Sequence, residues 1–118
     1  MSKTLRLQDK VAIVTGASSG LGRAIAIRYA HEGAKVVCAD LSPTARSREE
    51  AEITTRDLIN KDGGQSLFVQ ADVGNAAQME NLVQAAVKHF GRLDMYERAF
   101  ARNQAKKLIQ PVLSIMPV

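Results

Sequence analysis

The sequence predicts an α/β fold, a doubly wound parallel sheet of three strands in the order 3-2-1 with flanking helices, and three observations carry that expectation. Short apolar runs rich in β-branched residues recur at VAIVT (Val11–Thr15), KVVCAD (Lys35–Asp40) and SLFVQ (residues 66–70). Stretches with helical spacing of apolar residues follow each of them. The links are short, so consecutive strands run parallel and are joined by right-handed crossovers.

The first run is continuous rather than alternating, as expected for a strand covered on both faces. Residues 21–31, LGRAIAIRYAH, form the first helix and stop before Gly33, a residue suited to the left-handed position after a helix. The second strand ends on a carboxylate, Asp40. Proline and serines make residues 41–47 a loop, and REEAEITTRDLINK, residues 48–61, reads as one amphipathic helix with acids in its first turn, where the dipole favours them. The third strand runs into Ala71, Asp72 and Val73. In residues 77–90 a single stripe of Met79, Leu82, Val83, Ala86, Val87 and Phe90 predicts a third helix closed by Gly91. The sheet is expected to stop there, leaving residues 11–14 as its open edge and a route to self-association through that edge.

At 118 residues, 46% apolar and 24% charged, the chain has the composition of one soluble domain. No segment approaches the run of about 20 apolar residues that spans a membrane, and the polar N-terminus does not read as a secretory signal, so a cytoplasmic location is expected. Cys38 stands alone, which excludes an internal disulfide and a cysteine metal cluster. The net charge of +4 falls mostly after Met95, where Arg98, Arg102, Lys106 and Lys107 face Glu97 alone. A basic balance confined to one tail, without interleaved aromatic residues, argues against nucleic acid as a partner.

The chemistry is concentrated in VTGASSGLG, with glycines at positions 16, 20 and 22 between a strand and a helix. Glycines there let the backbone approach a diphosphate, and the amides and dipole at the helix start attract its charge. Asp40 ends the next strand, where a carboxylate accepts hydrogen bonds from adenosine ribose hydroxyls and repels a 2′-phosphate; this points to NAD in preference to NADP. Arg23 and Arg46 are the nearby cations that could oppose that preference, although each reads first as a solvated surface arginine.

TGASSGLG resembles the Thr-Gly-x-x-x-Gly-x-Gly signature of the short-chain dehydrogenases/reductases. Asp40, ADV at residues 71–73 and GRLD at residues 91–94 follow as further landmarks, so the resemblance covers about residues 6–95. It implies a Rossmann-type half-domain over residues 1–95 and a cofactor wrapped by Gly16, Ser18, Ser19, Gly20, Leu21 and Gly22. It also implies Asp40 and Leu41 at the ribose, Asp72 and Val73 at the adenine, and Thr15 tying the turn to the neighbouring strand. The side chain of Asp72 reads equally well as part of a helix-entry turn.

The family's later landmarks, an Asn-Asn-Ala-Gly stretch, a serine and a Tyr-x-x-x-Lys pair, are not found in these residues. Tyr29 and Tyr96 have Gly33 and Phe100 four positions on, and Ser114 has no tyrosine after it. His31 and His89 read as helix-end residues rather than catalytic ones. Residues 96–118 are expected to be an unrelated tail, helical over residues 96–109 and ending in the apolar PVLSIMPV. The expected function is that of an NAD-binding fragment with no catalysis of its own. The alternative is a non-enzymatic fragment that pairs with a full-length relative or another protein.

Overall fold

The computed structural model describes residues 5–98 of the chain. Its elements are β1 (Val11–Thr15), α1 (Gly20–His31), β2 (Lys35–Asp40), α2 (Arg48–Ala51), α3 (Thr55–Lys61), β3 (Gln65–Gln70), α4 (Ala76–Phe90) and β4 (Met95–Arg98). All strands are parallel, in the order β3-β2-β1-β4.

Successive residues of a strand point to opposite faces, and here both faces are covered. Val11 and Ile13 of β1, with Val37 and Ala39 of β2, pack under Met79, Leu82, Val83 and Ala86 of α4. Val14, Val36 and Cys38 face the other way, onto Ala26 of α1 and Ile59 of α3. Every residue of β1 is therefore buried, which explains its unbroken apolar run.

Three expectations need correction. The sheet has four strands, not three: Ala12 pairs with Met95 and Thr15 with Arg98, so β1 is an inner strand and residues 11–14 are no edge. Residues 96–98 accordingly belong to a strand rather than to a helix. Glu97 and Arg98 give MYER a helix-like polarity, but the unpaired side of β1 offers a ladder, and tertiary pairing overrides weak local preference. Finally, residues 48–61 form two helices. Ser47 caps the first, and Thr54, in an extended conformation, caps the second by accepting from the Asp57 amide at 3.1 Å. A threonine that finds an amide two or three residues on competes with the helix that would otherwise run through it. The tail beyond Arg98, including the rest of the expected 96–109 helix, PVLSIMPV and Ser114, lies outside the described residues.

Short links fix the open end of the sheet. Gly91 closes α4 in the left-handed conformation (φ 85°), and within four residues the chain enters β4. Asp94 makes that entry: its amide donates to the Val11 carbonyl at 2.9 Å, and its carboxylate accepts from the Val11 amide at 2.8 Å. The GRLD landmark is thus a staple between the starts of β1 and β4. Arg92 completes it with Nε and a terminal N–H donating to the two carboxylate oxygens at 2.8 and 2.7 Å. Those bonds from Arg92 hold the Asp94 carboxyl below its ordinary range against the opposing effect of burial, and the Val11 amide adds to them.

Candidate functional site

A cleft of about 390 Å³ opens at the C-terminal ends of β1, β2 and β3. This is the end of an open α/β sheet at which ligands bind. A second cavity, about 430 Å³, lies at the opposite end among Asp9, His31, Lys35, Asp62 and Gln65, far from every glycine of the turn.

The turn after β1 is built by backbone geometry first. Gly16 (φ 66°) and Gly20 (φ 57°) take left-handed conformations that side-chain-bearing residues adopt only at a cost. Between them the chain is tied down. The Ala17 amide donates to the Ala39 carbonyl at 3.2 Å, Thr55 Oγ1 donates to the Ala17 carbonyl at 2.6 Å, and Ser18 Oγ donates to the Ser42 carbonyl. Ser19 then starts α1, and its carbonyl receives the Arg23 amide at 3.3 Å.

Asp40 links the turn to the second strand. Its Oδ2 accepts from the Ser18 amide at 3.0 Å and its Oδ1 from the Leu41 amide at 2.8 Å. Two amides fix the carboxylate at the cleft wall while leaving further lone pairs for a ligand's hydroxyls.

The cleft brings together most of the residues singled out in the sequence. Gly16, Ser19, Leu21 and Gly22 line it from the turn, Asp40 and Leu41 from β2, and Asp72 and Val73 from the loop after β3. Ser18 and Gly20 do not line it: Ser18 is buried and holds the turn, and the Gly20 amide donates to Glu50 Oε1 at 3.0 Å. Asp72 also makes a helix-entry turn, its Oδ1 accepting from the Gly74 amide at 2.9 Å and its amide donating to Gln78 Oε1 at 2.8 Å. Thr15, fully buried, reaches across to the neighbouring strand, where its Oγ1 donates to the Glu97 carbonyl at 3.4 Å.

This arrangement, a glycine turn opening a helix beside a strand-end aspartate, is matched by the family description "short chain dehydrogenase" over residues 10–103. The chain belongs to the short-chain dehydrogenase family. It is 47% identical over 90 residues to an uncharacterized oxidoreductase of Methylorubrum extorquens, covering 76% of this chain and 34% of that protein. It is 45% identical over 94 residues to a versicolorin reductase of Emericella nidulans, covering 80% and 34%. Among solved structures, a hydroxysteroid dehydrogenase from Escherichia coli superposes with a TM-score of 0.69 at 33% identity, covering 80% of this chain and 38% of that one. A short-chain dehydrogenase/reductase from Burkholderia phymatum in complex with NAD gives 0.65 at 38% identity, covering 76% and 30%. The chain thus spans about a third of the length of the curated relatives it matches.

Within this short-chain dehydrogenase frame, three side chains depart from the sequence reading. Arg23 is not a solvated cation. It is 6% exposed, and one terminal N–H group donates to the Ile53 carbonyl at 2.8 Å and to Thr55 Oγ1 at 3.4 Å, clamping α1 to the α2–α3 junction. Arg46 is the cation that lines the cleft. Glu50 was not singled out at all; its only signal was the Ser-x-x-Glu spacing with Ser47, which marks a helix start and says nothing of Gly20. Tyr96 packs as a strand residue against the α4 face, with its hydroxyl 4.0 Å from Met79 Sδ, and burial pushes its phenol up to about 12. A phenol held there is a poor proton donor near neutral pH. No group of three or more His, Cys, Asp or Glu with metal-ligand geometry occurs among the described residues, and no described helix is long and apolar enough to cross a membrane.

Proposed function

We propose that this short-chain dehydrogenase chain binds a nicotinamide dinucleotide, NAD in preference to NADP, and that these 118 residues transfer no hydride by themselves. The observation that carries the reading is the Asp40 carboxylate, fixed by the Ser18 and Leu41 amides at the wall of the cleft that the glycine turn opens. The donor set suits the ligand. Leu21 and Gly22 sit in the first turn of α1, where amides attract a diphosphate, and Asp40 with Leu41 stands where a ribose would lie. Asp72 and Val73, which also line the cleft, would take the adenine.

A bound dinucleotide supplies the hydride chemistry, whereas the protein must orient the nicotinamide and move a proton. For that proton the family uses a Tyr-x-x-x-Lys pair, and neither Tyr29 nor Tyr96 begins one. Losing positioned acid–base catalysis alone costs about 10²- to 10⁴-fold in rate. The test has two parts. Calorimetry with NAD and NADP should show NAD binding that Gly20→Asp weakens, because it strains a left-handed backbone position (φ 57°) and adds a negative charge at the start of α1. NADH absorbance, followed with a panel of alcohols and ketones, should stay flat. Turnover that Gly20→Asp removes would overturn the inactive reading, and absence of any NAD binding would overturn the cofactor reading.

A second reading rests on β4, which stands at the edge of the described sheet. An edge strand offers unpaired amides and carbonyls to another chain. Sedimentation across a concentration series would show association if that edge pairs with a second copy or a full-length relative.

A further inference from the structure

Ser47, Arg48, Glu49 and Glu50 have the spacing of a capping box, in which the serine side chain accepts the glutamate's amide and the glutamate reaches back to the serine's amide. Here only the first half is made: Ser47 Oγ accepts from the Glu50 amide at 3.2 Å. The Glu50 carboxylate is spent elsewhere. Its Oε1 accepts from the Gly20 amide at 3.0 Å, and its Oε2 lies 4.0 Å from Arg23 Nε. Ser47 Oγ stands 3.5 Å from Oε1 on the other side.

The consequence is electrostatic. Gly20 is the first residue of the twelve-residue α1, whose next two residues, Leu21 and Gly22, line the cleft. A helix start carries a partial positive charge of about half an electron, and it is the feature that draws a diphosphate to this turn. Glu50 places a full negative charge on that same helix start. Arg23 offsets part of it, but Asp40 adds a second carboxylate, one that lines the cleft itself.

We propose that Glu50 sets the affinity and the charge selectivity of this site, competing with an incoming phosphate for the start of α1 and weakening each ligand in proportion to its negative charge. The inference rests on the dinucleotide reading given above. Unit charges roughly 6 to 10 Å apart, at an effective dielectric of about 20, alter binding by about fifteenfold to a hundredfold before screening, and ~0.15 M salt reduces this to about twofold to tenfold. Glu50→Gln keeps an oxygen for the Gly20 amide and removes only the charge, so the fold and its melting temperature should be unchanged. NAD should then bind roughly threefold to tenfold tighter and NADP should gain more, because it carries an additional phosphate. Both gains should fade in about 1 M salt, where screening acts over only a few ångströms. Glu50→Ala should also tighten both ligands, while Glu49→Gln, on the same short helix, should leave binding as it was.

Calorimetry of the parent chain and these variants with NAD and NADP, at low and high salt, decides the matter. No gain in either Glu50 variant, equal gains for the two ligands, or gains indifferent to salt would each overturn the role of Glu50 while leaving the parent chain's NAD binding as evidence for the cofactor site. If neither the parent nor Glu50→Gln binds NAD, the dinucleotide reading falls and the role of Glu50 falls with it.

Discussion

Asp40, at the C-terminal end of β2, accepts from the amides of Ser18 and Leu41. Asp94, just before β4 at the other end of the sheet, accepts from the Val11 amide and from two N–H groups of Arg92. Both are strand-end aspartates that gather backbone amides, and the difference lies in the counter-charge. GRLD supplies its own cation two residues ahead of the acid, so the Asp94 charge is neutralised locally and its geometry closes on the protein. ADLS supplies no cation beside Asp40, and that carboxylate faces a cleft. A neutralised carboxylate holds structure together; a fixed one with uncharged partners stays available to a ligand.

The largest effect that would sharpen this contrast is on stability at Asp94. Val11 is fully buried, so Asp94→Ala leaves a buried amide without its partner, at a cost of about 1–3 kcal/mol. Urea unfolding should show that loss, together with little change in NAD affinity. The pH dependence follows from the depressed carboxyl. A group whose folded pKa lies below its ordinary value of 3.8 contributes stability that is present above that value and is lost as pH falls through the folded pKa. The parent chain should therefore lose its advantage over Asp94→Ala below about pH 4. An advantage that instead vanished between about pH 6 and 8 would mean another group carries the staple.

Strands β1, β2 and β3 were legible because each is short, apolar and bounded by turn residues, and buried strands need no more than that to be found. The glycine turn of the candidate site was legible for a related reason. Glycines at 16 and 20 occupy positive-φ positions that few other residues tolerate, so the motif and the geometry coincide. What stayed hidden depends on contacts distant in sequence. MYER carries two charges in four residues, and only the open side of β1, some 80 residues earlier, makes it a strand. Arg23 looked like a surface arginine because its partners, Ile53 and Thr55, come together with it only after α2 and α3 separate. Glu50 announced a helix cap, and its actual acceptor role lies on α1.

A smaller effect tests the other half of the contrast. Asp40→Asn keeps an oxygen that can accept from the Ser18 amide but removes the charge that repels a 2′-phosphate. The proposed preference for NAD over NADP should shrink by about tenfold, the factor that roughly 1.4 kcal/mol of differential interaction supplies, with little change in melting temperature. Asp40→Ala should shift the ratio similarly and also weaken NAD itself, because the turn loses its tie to β2. A tenfold preference that survives in Asp40→Asn would move the selectivity to Glu50 or elsewhere and dissolve the distinction drawn between the two aspartates. Reversal in the parent chain, with NADP bound more tightly, would show Arg46 overriding both carboxylates.

The smallest effect belongs to Thr15, which offers the competing explanation for how β4 is held. Its hydroxyl donates to the Glu97 carbonyl at 3.4 Å, beyond the usual range for an O–H donor, and so counts for little. Four register pairs already join β1 to β4, and the Asp94 staple fixes where that ladder begins. Valine has nearly the shape of threonine, and Thr15 is fully buried between covered faces, so Thr15→Val loses one long bond and gains a buried methyl. Glu97 is only half-buried, which lets water take up the freed carbonyl. The net cost should be under about 1 kcal/mol, the ordinary worth of one hydrogen bond. A loss as large as that of Asp94→Ala would place the anchor of β4 in its middle rather than at its start, and the sequence landmark GRLD would then mark the turn without holding it.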